Sequence, residues 1–98
     1  MANKRFSSKQ KFNKTNLKKV PLQSGVYQLT NQAGVIQYIG KAKAGRLKDR
    51  LQEHLTEKDI RGAANFQFIP TTSNREAELL EKKLIIKKTP KQNIQYNL

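Results

Sequence analysis

At 98 residues the chain is long enough for one small domain with a modest core and too short for a catalytic domain plus a separate recognition domain. Twenty Lys and Arg against seven Asp and Glu give a formal charge of +13, which selects polyanions as partners, nucleic acid ahead of an anionic membrane surface. The absence of cysteine excludes disulfides and thiolate metal sites, and no apolar signal region or spanning segment is present, so a soluble cytoplasmic protein without membrane contact is expected.

Residues 1–19 carry seven basic side chains and no acidic one, and read as a flexible basic arm; the folded domain is expected over 20–98. "GVYQLT" and "VIQYIG" have the β-branched and aromatic content of strands, joined by the turn residues Asn31 to Gly34. Pairing Thr30 with Val35 sets Tyr27 directly opposite Tyr38, with Leu29 and Ile36 on the same face. "GRLKDRLQEHLTE" places Leu47, Leu51 and Leu55 at helical spacing, with Arg50 and His54 along one edge of that stripe. "ANFQFIP" alternates as a third strand that stops at Pro70. Ser73 and Glu76 form a capping-box pattern opening a second helix, "NREAELLEKKLIIKK", which ends before Pro90. The expected fold class is α+β, a three-stranded, mainly antiparallel sheet flanked by helices.

One residue breaks the pattern of that last helix. Ala77, Leu80, Leu84 and Ile85 define its apolar arc, and Glu81 falls inside it. A carboxylate there is costly unless a cation meets it. The plain reading is a salt bridge to one of many lysines; the functional one is a ligand for a divalent cation that takes its remaining ligands from water and phosphate.

Gly25-Val26-Tyr27, then Tyr38-Ile39-Gly40, an arginine on the next helix, the helical Glu81 and the later Asn93 together resemble the GIY-YIG nuclease family. Within it, "YIGKAKAGRLKDRL" and "ELLEKKLIIKKTPKQN" are most similar to the N-terminal nuclease domain of the excision-repair subunit UvrC. The resemblance covers about residues 21 to 97. The first triplet has valine for isoleucine, and Ala44-Gly45 lengthens the segment after Gly40, which makes Arg46 a rival to Arg50. Arg50 is preferred because Arg50 and His54 resemble the arginine and histidine pair of homing and restriction members.

The resemblance implies a stand-alone endonuclease dependent on Mg2+ or Mn2+ that hydrolyses phosphodiesters in DNA; branched and single-stranded DNA are open as forms of the substrate, and RNA is left open as a partner. It implies Glu81 as the metal ligand, Arg50 as the grip on the phosphate, and Asn93 as the group orienting Glu81 or a water. Tyr38, with Tyr27 in support, would take a proton from water, the phenolate being favoured by Lys41 and Arg50; His54 is a competing base whose residue type titrates nearer neutrality. Gly40, Lys41, Lys43, Arg46 and Lys48 would line the nucleic acid. Taken singly, each residue has a plainer reading: the tyrosines as cross-strand packing, His54 as a surface residue, the lysines as a solvated face, Asn93 as a turn residue. The rival functions are a non-catalytic DNA- or RNA-binding protein and a nuclease fold kept as an interaction module.

Overall fold

The computed structural model describes residues 5–93 and sets the expected elements in the expected order, with two more before them. β1 (Gln10–Lys11) and the single turn α1 (Lys14–Leu17) precede β2 (Ser24–Thr30), β3 (Ile36–Ala42), α2 (Leu47–Glu57), β4 (Asn65–Thr71) and α3 (Asn74–Lys88). The strands form one antiparallel sheet in the order β1-β4-β2-β3, so it has four strands where three were expected.

The extra strand comes from the segment whose composition reads as a flexible arm. Over its described residues that segment is folded. Ser7 donates its N–H to Phe68, Gln10 and Lys11 pair with Phe66 and Asn65, and Leu17 is fully buried. Phe12 tilts against Phe66 with ring centroids 6.0 Å apart. Average composition misses such a segment because the apolar side chains among its described residues, Phe6, Phe12 and Leu17, are anchors. β4 also continues through Pro70 to Thr71. Phe68 turns both its backbone groups outward to Ser7, so Pro70, two residues on, presents its missing N–H to that same outer edge and costs the β2 ladder nothing.

β2 is central and buried along all seven residues, because each face of the sheet is covered. On one face Tyr27, Leu29, Tyr38 and Phe66 pack with Leu17, Leu47 and Leu51 of α1 and α2. On the other, Val26 and Ile39 pack with Ala77, Leu80, Leu84 and Ile85 of α3. Ser73 caps α3, accepting from the Glu76 N–H at 3.0 Å, and the Glu76 carboxylate reaches back to the Thr72 N–H at 2.7 Å. This is the expected capping box with its return bond moved one residue outward.

The hairpin register differs from the expected one. Tyr27 pairs with Gly40 and Leu29 with Tyr38, and an irregularity then sets Thr30 opposite Ile36, leaving Gln37 as the extra residue. Asn31 closes the loop, its side chain accepting from the Val35 N–H at 2.9 Å. The offset of two keeps both tyrosines on one face but makes them diagonal neighbours, and the bulge turns Ile36 to the α3 face, away from Leu29.

Candidate active site

That register explains a glycine. Tyr27 is fully buried, and its ring crosses the strand directly over its partner Gly40: a Cβ added there would stand 2.4 Å from the Tyr27 hydroxyl oxygen. Any side chain at position 40 would evict the phenol. Gly25 is constrained similarly, since its Cβ would stand 2.6 Å from the Ile69 carbonyl oxygen. Each glycine of the two triplets thus serves the packing around a tyrosine strand.

Tyr27 is where the site's groups meet electrostatically. Burial first and then Tyr38 push its hydroxyl far above the ordinary phenol range, with the Glu81 charge adding to the rise; the Arg50 guanidinium opposes it and loses. The expectation that nearby cations favour a phenolate is therefore overturned at Tyr27. Tyr38 lies 6.2 Å away between ring centroids and lines a cleft, which Tyr27 does not.

His54, which as a lone histidine on a stripe edge reads as a surface residue, is buried between the two phenols and α2. Its Nε2 lies 2.8 Å from the Tyr27 hydroxyl and its Nδ1 2.9 Å from Asp59 Oδ1. The Tyr38 ring meets it edge-on at 5.1 Å. Arg50, four residues earlier on α2, lies on the same helix face, where Glu53 holds Nη1 at 2.7 Å. Burial draws the Arg50 pKa down, but Tyr27, Glu53 and Tyr38 more than offset that and leave it raised. Arg46 shares the same carboxylate, its Nη2 2.8 Å from the other Glu53 oxygen, so the two rival arginines form one unit with Glu53 between them.

Glu81 lies across the sheet edge in a cleft of about 380 Å³ that also takes in Tyr38, Lys41, Lys82, Ile86 and Asn93. Burial raises its carboxyl pKa first; Lys41, through charge and its backbone N–H, and Lys82 pull it back while Glu78 pushes it further, and the net shift is upward. Among the described residues it has no ion pair. Lys41 and Lys82, the lysines placed to neutralise it, both pair with Glu78, at 3.5 and 3.7 Å. The salt-bridge reading of Glu81 therefore lacks its partner.

Asn93 is buried in the same cleft, but it does not orient Glu81. Its Oδ1 accepts from the Ile39 N–H at 2.8 Å and its Nδ2 donates to the Ile39 carbonyl at 2.9 Å. The amide thus acts as one more strand residue along the open edge of β3. Lys91 and Gln92 continue that pairing through Ile36 and Gln37, so the turn after α3 fixes the strand that carries Tyr38 and Gly40.

The structure brings Tyr27, Tyr38 and His54 into contact, carries Arg50 one turn away from His54 on the same helix, and sets Glu81 and Lys41 beside Tyr38. Lys43 is exposed in the turn before α2, and Lys48 is half-buried on its first turn; neither borders the cleft. That turn holds the Ala44-Gly45 insertion and is tied to α3 by Asn74, which accepts from the Ala44 N–H at 2.7 Å. Sequence reasoning missed Asp59, Glu53 and Glu78, the acids that hold His54, both arginines and Lys41. The spacing of Glu53 from Arg50 was a usable helical signal; Asp59 had none, because it reaches His54 from outside the helix.

Among the described residues no three acidic or histidine side chains cluster as a metal site. A cation here would have Glu81 as its sole protein carboxylate. That donor set, one under-neutralised carboxylate open to a cleft with room for water and phosphate, fits Mg2+ or Mn2+ and fits no ion that needs a full protein cage. A second cavity of about 410 Å³ lies on the far side of His54, lined by Phe12, Leu55, Lys58 and Arg61 among others, with no carboxylate and no tyrosine. Of the two cavities, only the smaller one brings a carboxylate and a tyrosine together.

Comparison with known proteins places this fold in a family. The UvrC-like GIY-YIG domain family matches residues 23–94. UvrABC system protein C of Syntrophomonas wolfei is 38% identical over 90 residues, covering 83% of this chain and 15% of that protein, and the protein of the same name from Clostridium beijerinckii is 38% identical with 83% and 14% covered. The chain thus spans about 15% of the length of these relatives. Among solved structures, the N-terminal GIY-YIG endonuclease domain of Thermotoga maritima UvrC bound to magnesium as its catalytic divalent cation is 34% identical, with a TM-score of 0.66 over 82% of this chain and 93% of that one. A point mutant of that domain bound to its cation is likewise 34% identical, with a TM-score of 0.66 over 79% and 89%. With most of its length matched and relatives of this identity sharing its fold, the chain belongs to the UvrC-like GIY-YIG domain family.

Proposed function

We propose that the chain is a divalent-metal-dependent endonuclease that hydrolyses phosphodiester bonds in DNA. The observation that carries the reading is Glu81: a half-buried carboxylate, raised in pKa by burial, without an ion pair among the described residues, in a cleft shared with Tyr38. A protein that only bound nucleic acid would gain nothing from an acid facing phosphates. Mg2+ or Mn2+ held by Glu81 supplies charge stabilisation at the phosphate and its leaving oxygen.

The remaining work falls to this chain's own groups. Arg50, with a planar fork of donors and a second arginine sharing its carboxylate, grips the non-bridging oxygens. Tyr38 borders the cleft, and its oxygen, once ionised to the phenolate, would accept a proton from an attacking water. Tyr27, buried and held neutral, supports it from behind. Lys41 steadies Glu81 through its backbone N–H. Lys43, Arg46 and Lys48 extend a basic approach to the site, so binding weakens steeply with salt. A cytoplasmic place of action accords with this reading.

Supercoiled plasmid incubated with Mg2+, with Mn2+ and with EDTA tests the proposal. Metal-dependent nicking that Glu81→Ala abolishes is expected. Tight binding without nicking of duplex, branched or single-stranded DNA would replace the endonuclease with a nucleic-acid-binding protein.

A further inference from the structure

The direction of a hydrogen-bonded chain is set at the end where only one direction is possible. Here that end is Asp59. The backbone enters the left-handed region at Lys58 (φ 52), whose N–H caps α2 on the His54 carbonyl, and this turn folds the chain back so that Asp59 meets the ring it has just passed. Asp59 Oδ1 and Oδ2 lie 2.9 and 3.1 Å from His54 Nδ1. A carboxylate only accepts, so Nδ1 carries the proton. In the neutral imidazole Nε2 is then left as the acceptor, and the Tyr27 hydroxyl, 2.8 Å away, must donate to it. With its hydrogen committed to His54, the Tyr27 hydroxyl faces the rest of the site as an acceptor. The opposite tautomer would make the Tyr27 oxygen accept from Nε2–H and turn its own hydrogen outward.

We propose that Asp59 is a positioning residue for the buried tyrosine of the site: it fixes His54 as the Nδ1–H tautomer, which orients the Tyr27 hydroxyl as a donor to the ring and an acceptor toward the rest of the site. The residue touches no substrate and acts through two side chains in series. Its catalytic consequence rests on the endonuclease reading; its effect on His54 does not.

The chain holds a single histidine, so long-range proton–nitrogen spectra of uniformly 15N-labelled protein report His54 without overlap. Wild type is expected to show a protonated Nδ1 and a bare Nε2 in the neutral ring. In Asp59→Asn the side-chain amide can donate to Nδ1, and the tautomer is expected to mix or invert. Plasmid nicking should then lose about 100-fold in kcat, the size of effect that a small misplacement of a catalytic group produces, with KM roughly unchanged. Asp59→Glu should recover the tautomer and most of the rate. A wild-type ring protonated on Nε2, or an Asp59→Asn variant that keeps either the wild-type tautomer or the full rate, overturns the inference. Wild type that shows the expected tautomer yet nicks no substrate overturns the endonuclease reading and leaves Asp59 as the residue that orients His54.

Discussion

The two halves of the site are built on opposite terms. In the aromatic half Tyr27 and His54 are deeply packed, with Asp59, His54 and Tyr27 joined by hydrogen bonds and Arg50 held by Glu53. The acid half, Glu81 beside Lys41 and Lys82, borders an open cleft, and its two lysines are drawn off by Glu78. A satisfied buried network is rigid, whereas a carboxylate left short of cations holds an unmet demand. On the proposed reading, this small domain keeps its fixed geometry in one half and its cation-binding group in the other.

Replacing the acid should therefore separate activity from stability. Glu81→Gln is expected to lower plasmid nicking by at least about 10³-fold, equivalent to several kcal/mol of lost transition-state stabilisation. It should also raise stability at neutral pH. The folded-state pKa of Glu81 is raised, so its proton stabilises the fold fully below the unfolded carboxylate value of about 4.3, and that stability is lost as pH rises through the folded value. The gain from Glu81→Gln should thus appear above that window and vanish in acid, as urea unfolding at several pH values would reveal. A variant less stable than wild type at pH 7 would mean that Glu81 is a structural partner after all.

The aromatic half should respond in the other sense. Gly40→Ala sets a methyl group against the Tyr27 phenol, which is fully buried and has no space to yield. Destabilisation of about 3 kcal/mol is expected, at the upper end for overpacking, together with loss of nicking as Tyr27 leaves His54. Thermal or urea unfolding decides this one. A cost under about 1 kcal/mol would show that the ring can move and that the half is less rigid than its contacts suggest.

What the sequence made legible follows the range of each interaction. The bounds of α3 and its cap are local in origin, and "NREAELLEKKLIIKK" is the helix observed. Glu81 stood out because periodicity alone placed an acid in an apolar arc. The hairpin faces were readable, but the register depended on a bulge at Gln37 that no local pattern marks. Gly40 shows the same limit: its necessity comes from Tyr27, thirteen residues away, and appears only once the pairing is known. Leu17 and Phe12 looked like stray apolar residues in a basic arm because their partners, Leu51 and Phe66 among them, lie far along the chain.

Removing one atom from the network tests how tightly it is coupled. Tyr27→Phe keeps the ring over Gly40 and deletes only the hydroxyl, which leaves His54 Nε2 buried without its donor. A loss of about 1–3 kcal/mol is expected from that unsatisfied acceptor. Nicking should fall as well, because the hydroxyl that His54 orients is gone. A variant with wild-type stability would indicate that water replaces the hydroxyl and that this half is wetter than the acid half.

The smallest effect concerns how the acid half is held in place. Thr89 ends α3 in the left-handed region at φ 43, a position that a β-branched side chain occupies at a cost, and Pro90 follows immediately. The strained turn is repaid locally: it delivers Lys91, Gln92 and Asn93 to the edge of β3, where their bonds to Ile36, Gln37 and Ile39 form one wall of the cleft. Thr89→Gly removes the Cβ conflict and adds freedom to the unfolded chain, and the two partly cancel. A net stabilisation of about 0.5–1 kcal/mol is expected by urea midpoint, with the nicking rate within about twofold of wild type. If the rate fell while stability rose, the threonine conformation itself would be setting the Asn93 position. The acid half would then share the rigidity assigned above to the aromatic half alone.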